Sequence, residues 1–244
     1  MQIKSKLNLF TYNIFTNLDL YFLRNGLDMQ KTTLAIALAL AFTSTFAMAE
    51  AGDWVVRARV VNVSPDEHSK LDTTTVLFPG SKLAVDSNTI PELDISYYFT
   101  KNIAAELILV LGSRHDVNIV GTTQAKLGSV NLLPPTLTAQ WHFNPDQTFD
   151  PYLGAGVNYT RAMDNSLNLA GVNPIKVDRN MFGLVAQAGI DINLKDGWLI
   201  NADVKYIDMN TDVKVSLNGT GPWTKIDSLD INPWVFGVGI GKKF

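Results

Sequence analysis

The chain has 244 residues, a formal net charge of -3 and no cysteine. The lack of cysteine excludes a disulfide framework and any thiolate metal site. Lys and Arg form no cluster beyond single pairs, which removes the basic stripe of a nucleic-acid binder.

Residues 1–28 are a mixed Asn, Leu and Phe stretch without a clear period. From Met29 the chain reads MQKTTLAIALALAFTSTFAMAEAGDW, with a cation at Lys31, an apolar run from Leu34 to Phe46, then Ala47-Met48-Ala49. That order predicts a secretory signal peptide with an A-x-A cleavage site, too short for a spanning helix. Residues 29–49 are therefore expected to be the signal peptide, cut after Ala49, and residues 1–28 an extension from a start assigned too far upstream. Residues 50–244 form the mature domain, and they contain no long apolar run. Any part of it that crosses a membrane must do so with strands.

Eight segments of the mature domain alternate with a period of two, the strand signature. DWVVRARVV sets Trp54, Val56, Ala58 and Val60 against Arg57 and Arg59. PELDISYYF sets Leu93, Ile95, Tyr97 and Phe99 against Glu92, Asp94, Ser96 and Tyr98. NIAAELILVLG opposes Ile103, Ala105, Leu107 and Leu109 to a mixed face with Glu106 and Ile108, and TLTAQWHF opposes Leu137, Ala139, Trp141 and Phe143 to Thr138, Gln140 and His142. PYLGAGVNYT carries Leu153, Ala155, Val157 and Tyr159 opposite Gly154, Gly156 and Asn158. FGLVAQAGIDINL carries Phe182, Leu184, Ala186, Ala188, Ile190 and Ile192 opposite Gly183, Gln187, Gly189, Asp191 and Asn193. WLINADVKYI places Trp198, Ile200, Ala202, Val204 and Tyr206 against Asn201, Asp203 and Lys205, and the ending NPWVFGVGIGKKF places Trp234, Phe236, Val238 and Ile240 against Gly237, Gly239 and Gly241.

Short connections, TKN, NPDQTFD and KDG, alternate with long ones of roughly fifteen to twenty-five residues. Short turns at one end and long loops at the other describe a meander. The expected fold is all-β, an eight-stranded antiparallel up-and-down transmembrane β-barrel, whose even strand count allows closure. Aromatic residues at the ends of the apolar faces, among them Trp54, Phe99, Trp141, Tyr159, Trp198, Tyr206 and Trp234, match interfacial girdles around a lipid-facing band. The opposite face carries Arg57, Arg59, Glu92, Asp94, Glu106, Asp191, Asp203 and Lys205, charges that a narrow lumen can pair. A soluble barrel would turn its apolar face inward and would not account for the girdles.

The stretches LPPTLTAQWHF (Leu133 to Phe143), PYLGAGVNYT (Pro151 to Thr160) and LDINPWVFGVGIGKKF (Leu229 to Phe244) resemble the OmpW family of small Gram-negative outer membrane proteins. GDWVVRARVVNVSPDE, Gly52 to Glu67, is similar too, so the resemblance spans the mature domain. It implies both termini in the periplasm, long loops outside, and passive uptake of small hydrophobic molecules, with a related branch aiding alkane uptake. Terminal Phe244, with apolar residues at alternate places before it, resembles the signal read by the barrel-assembly machinery. Lys242 stands where that signal more often has an apolar residue, and at the periplasmic rim its long stem is expected to snorkel.

Eight strands enclose a lumen barely wide enough for side chains, so a broad aqueous pore is not expected. The inward charges are expected to form a blocking network in the periplasmic half. The long loops carry Leu77, Phe78, Val117, Ile119, Leu167, Leu169, Val172, Val213, Val215, Leu217 and Trp223, which predict an apolar extracellular vestibule or simple loop packing. Pro91, Pro134, Pro135 and Pro233 fall where strands descend from the loops, and each lacks a ladder donor, so they are candidates for a lateral gate into the membrane. His68, His115 and His142 accompany no nucleophile motif or paired metal spacing and are read as surface or lumen residues, with no cofactor, no metal and no catalytic role expected. The partners expected are outer membrane lipids, the assembly machinery and small hydrophobic solutes. A structural or adhesive barrel without transport, and an outer membrane lipid-modifying enzyme, stay open as alternatives.

Overall fold

A computed structural model describes residues 50–75, 78–110, 112–165, 167–171 and 173–244. The expected start extension and signal peptide, together with Leu77 and Val172, lie outside the described residues.

The elements in chain order are β1 (Trp54–Ser64), the helical turn α1 (Leu71–Thr74), β2 (Ser81–Val85), β3 (Asn88–Tyr98), β4 (Ile103–Val110), β5 (Ser113–Gly121), β6 (Ala125–Leu133) and β7 (Thr136–His142). There follow β8 (Phe149–Asn165), β9 (Leu167–Leu169), β10 (Asn173–Val177), β11 (Asn180–Asn193), β12 (Trp198–Ser216), β13 (Trp223–Asp230) and β14 (Trp234–Lys243). Eight of them, β1, β3, β4, β7, β8, β11, β12 and β14, pair in that order, each antiparallel to the next, and β14 returns to β1. The barrel is therefore closed. At the seam the Phe244 N–H donates to the Trp54 carbonyl at 2.8 Å and the Trp54 N–H to the Phe244 carbonyl at 3.1 Å.

The side chains divide as the alternation requires. Phe182 and Val238 on the outer face are 74% and 62% exposed, whereas Arg57, Asp94, Glu106 and Asn201 on the inner face are fully buried. The outer aromatics form two belts. Trp54, Tyr97, Phe99, Trp141, Phe143, Phe149 and Trp198 lie at the end bearing the barrel's first and last residues, and Tyr159, Phe182, Tyr206 and Trp234 lie toward the other. From Trp198 to Tyr206 the strand rises about 26 Å, enough for the apolar band of an outer membrane once tilted.

Glycine faces inward where strands crowd. A Cβ on Gly239 would meet the Arg59 Cα at 2.7 Å, and one on Gly156 would meet the Thr138 Cα at 2.7 Å, both closer than real contacts allow. This explains a terminal strand with bulk on one face and glycine on the other. Lys242, whose register is outward, is nevertheless buried: its ammonium donates to the Asp196 carbonyl of the β11–β12 turn and stands 5.2 Å from the Trp198 ring centroid. Binding to that turn replaces the expected snorkelling.

The long connections are not loops. β2, β5 and β6 extend the wall above β8, and β9, β10 and β13 extend it around the upper half of β12. Their inward residues, including Phe78, Leu83, Val117, Ile119, Leu127, Ile175, Val215 and Ile226, pack into a core of their own.

Candidate functional site

The lumen is layered, and the lowest layer is aromatic. Tyr98 and Tyr152 flank His142, whose ring stacks on Tyr152 with centroids 4.9 Å apart. His142 Nδ1 is 2.7 Å from the Asp150 carboxylate and Nε2 is 3.1 Å from the Tyr98 hydroxyl. Ligand-type atoms of His142, Asp150 and Asp191 lie within 4.8 Å of one another, but Asp191 is already held by Arg57 at 2.7 Å and Asn201 at 2.7 Å.

Above it sits an ion-pair plug. Arg57 bonds Asp94 at 2.9 Å, Ser96 at 2.8 Å and Asp191. Arg59 reaches Glu92 at 2.7 Å, Asp94 at 3.0 Å, Glu106 at 3.1 Å and Asp203 at 3.1 Å. Lys205 stands 2.6 Å from Asp203 and 3.3 Å from Glu92. Buried charges persist only when paired and hydrogen-bonded, and here the neutral side chains complete the set. Gln187 donates to Glu106 at 2.9 Å and Asp203 at 3.0 Å, and Gln140 donates to Glu106 at 2.9 Å. All eight lumen charges singled out in the sequence, Lys205 among them, meet in this cluster. Gln140, Gln187 and Asn201 complete it and were legible only as inward positions of the same alternating segments.

Above the plug opens a cavity. Glu92 and Lys205 form its floor, and Val61, Ile90, Val110, Met181, Ile207, Met209 and Val235 form an apolar ring around it. Of the residues expected to line a vestibule, Val117, Leu167 and Val213 do so. Phe78 and Val215 pack in the core above the cavity, with Leu169 against that core. Trp223 is exposed, with the Lys176 ammonium 4.0 Å from its ring centroid, and Leu217 is exposed in a tight turn. The β12–β13 register shifts at Val213/Lys214, where the adjacent Ile226 and Asp227 are both buried, and Trp223 lies exposed beyond this bulge.

One side of the cavity wall is thin. Among the described residues the β4–β7 ladder runs from Ile103↔Trp141 to Ile108↔Thr136, the shortest of the eight, and β3–β4 pairing runs as far as Glu92↔Val110. Beyond these rungs the neighbouring residues are Pro91 on β3 and Pro134 and Pro135 before β7, which have no N–H with which to extend either ladder. The Pro134 carbonyl is instead satisfied from inside, by Asn158 Nδ2 at 3.3 Å and the Thr136 hydroxyl at 3.2 Å. Pro233 has no such opening beside it. Its carbonyl accepts the Ile207 N–H at 3.1 Å, the Ile231 N–H reaches Met209 at 2.9 Å, and Asp66 bonds Ile231 at 3.1 Å, so the wall there is bridged on both sides.

His115, read from sequence as a surface or lumen residue, is buried and lines the cavity with Ser113. Its Nδ1 lies 2.9 Å from the Asp86 carbonyl and its Nε2 2.8 Å from the Ser113 hydroxyl. Burial pushes its imidazole below the usual histidine range. His68 pairs in an isolated bridge with Asp230.

Comparison with known proteins agrees with this architecture. The OmpW family profile matches residues 50–244. Outer membrane protein W of Vibrio cholerae is 37% identical over 219 residues, covering 86% of this chain and 97% of that protein. The dibenzothiophene metabolism operon protein PahQ of Pseudomonas aeruginosa is 24% identical over 217 residues, covering 88% and 100%. The crystal structure of the outer membrane protein OprG from Pseudomonas aeruginosa superposes with a TM-score of 0.72 at 32% identity, covering 80% of this chain and 97% of that one.

Proposed function

The chain belongs to the OmpW family of outer membrane barrels, and from that premise we propose that it takes up small hydrophobic molecules passively. The short turns and both barrel termini face the periplasm, and the long β-structured connections face outward. A solute enters among those connections, occupies the apolar cavity, is stopped by the ion-pair plug, and leaves sideways between β4 and β7 into the outer leaflet, past Pro91, Pro134 and Pro135.

The observation that carries this reading is the sequence of layers: an apolar cavity directly above a lumen blocked by Arg57, Arg59 and Lys205 with their carboxylates, beside the shortest ladder of the barrel. A concave apolar pocket with few polar groups suits a small hydrophobic ligand. The relative named for a dibenzothiophene metabolism operon supports an apolar solute as well. Phe244, hydrogen-bonded into the seam, is the residue proposed to be read by the assembly machinery.

The test is flux of hydrophobic compounds into liposomes with and without the protein, run beside single-channel recording. Faster flux with negligible ion conductance is expected. Large stable conductance, or flux equal to that of empty liposomes, overturns the reading. Pro134→Val together with Pro135→Val restores two donors at the thin wall and is expected to slow flux; unchanged flux removes this opening as the route.

A further inference from the structure

The polar groups around the cavity differ in what they leave unspent. The Thr160 hydroxyl donates to Asn158 Oδ1 at 2.7 Å, Asn158 donates to Thr136 Oγ1 at 2.8 Å, and Thr136 donates to the Pro134 carbonyl. Lys205 is clasped between Glu92 and Asp203. The Ser113 hydroxyl is also spent. The Asp86 carbonyl opposite His115 Nδ1 can only accept, so in the neutral ring Nδ1 carries the hydrogen and Nε2 is bare. Ser113 must then donate to Nε2. What Ser113 Oγ and Thr160 Oγ1 retain are acceptor lone pairs. A solute with a donor finds a partner at these oxygens, one offering only acceptors is left the Thr211 hydroxyl, whose oxygen accepts the Asp178 N–H at 3.1 Å, and a carboxylate finds the floor cation already held by two carboxylates.

The height of the thin wall adds a second constraint. The Pro135 carbonyl accepts the Tyr159 N–H at 3.0 Å, and the Tyr159 ring packs on Phe182 with centroids 5.0 Å apart, so the wall thins at the level of the upper aromatic belt. Such belts mark the membrane interface, where an amphiphile rests with its head at the headgroups and its tail among the acyl chains. A molecule crossing the wall at this height can pass its tail into the leaflet while its head stays polar-solvated.

We propose that the cavity selects single-headed neutral amphiphiles whose head donates a hydrogen bond, medium-chain primary alcohols being the simplest class, and that Ser113 Oγ is the acceptor that holds the head. This deepens the uptake reading and rests on it. The apolar ring of Val61, Ile90, Ile207 and Met209 takes the tail, and His115 positions Ser113 by accepting its hydroxyl hydrogen bond at Nε2.

The test measures isotope-labelled 1-decanol, decyl methyl ether and decane in nanodiscs containing the full protein, each relative to empty nanodiscs. One net hydrogen bond of about 1 kcal/mol corresponds to about fivefold in occupancy. Wild type is expected to favour the alcohol over the ether by that factor, Ser113→Ala to lose the preference, and Ser113→Thr, which keeps the hydroxyl, to retain it. Equal enrichment of alcohol and ether in wild type, or a preference unchanged in Ser113→Ala, overturns the head-group inference and leaves uptake standing. Enrichment of none of the three compounds overturns both.

Discussion

Arg59→Leu tests whether the plug is dry. The guanidinium touches Glu92, Asp94, Glu106 and Asp203 at 2.7–3.1 Å and is buried with them. Removing one partner of a buried pair is strongly destabilising because it strands the other charge, at about 3–5 kcal/mol. Arg57 still contacts Asp94 and Glu106, and Lys205 still contacts Glu92 and Asp203, so only part of the stranded charge is recovered. A loss of about 4 kcal/mol is expected near neutral pH. Arg59→Lys keeps the charge and forfeits the fork, and is expected to lose less. The assay is equilibrium urea unfolding of protein folded into lipid vesicles, with heat-modifiable gel mobility to verify the barrel and single-channel recording for ion leak. A loss below about 1 kcal/mol for Arg59→Leu, the range of solvent-screened pairs, would refute the reasoning, because the lumen would then be wet.

Gly239→Ala is expected to lower stability by about 1–3 kcal/mol, the range of overpacking, since the new Cβ meets the Arg59 backbone; the same urea titration checks it. His115 binds its proton less readily folded than unfolded, because burial outweighs its contacts with Asp86. Its contribution is therefore complete above the unfolded value of about 6.5 and declines as pH falls below it, so the unfolding midpoint should drop between pH 7.5 and 5.5 in wild type and less in His115→Gln. Once His115 is protonated, Nε2 donates to Ser113 and frees the hydroxyl proton, so the alcohol preference over the ether should narrow in acid. Phe244→Ala is expected to reduce the amount of folded protein in the outer membrane, quantified by gel mobility of isolated membranes, with smaller effect on refolding of purified protein into vesicles.

How much of this is readable from residues alone follows from what each residue's neighbours decide. The eight staves are legible because lipid outside and a crowded lumen inside enforce strict alternation, and Arg57, Arg59, Glu92, Asp94, Glu106, Asp191 and Asp203 inherit their common direction from it. The apolar ring is written in the same register two or more positions further along, Val61 after Arg59 and Ile207 after Lys205, and needs only the pattern carried past the charges. The extension is less legible. The inward face of β5 runs Ser113, His115, Val117, Ile119, half polar, and the β5–β6 register shifts at Val117/Asn118, so no clean period survives. Trp223 and Pro233 were read from position alone. The first lies exposed beyond a bulge, and the second is sealed because Asn232, at φ 39°, accepts the Met209 N–H with its side chain at 3.1 Å, a tertiary contact that no local pattern announces.

The sideways route then becomes a comparison of two barriers. Axial passage through eight strands requires separating Arg57 and Arg59 from carboxylates already out of water, with an effective penalty of several kcal/mol for each ion left unpaired. Passage between β4 and β7 breaks no rung, because above Ile108↔Thr136 the described residues make none, and on the β7 side the Pro134 carbonyl is satisfied by Asn158 and Thr136 whether or not the neighbouring strand is near. The inward bonds of Asn158 thus lower, on the β7 side, the penalty that an open barrel edge carries in lipid. By the same reasoning the plug is what would make the thin wall useful on the proposed route: a solute that cannot descend and is apolar on most of its surface would leave where the described residues make no β4–β7 rung.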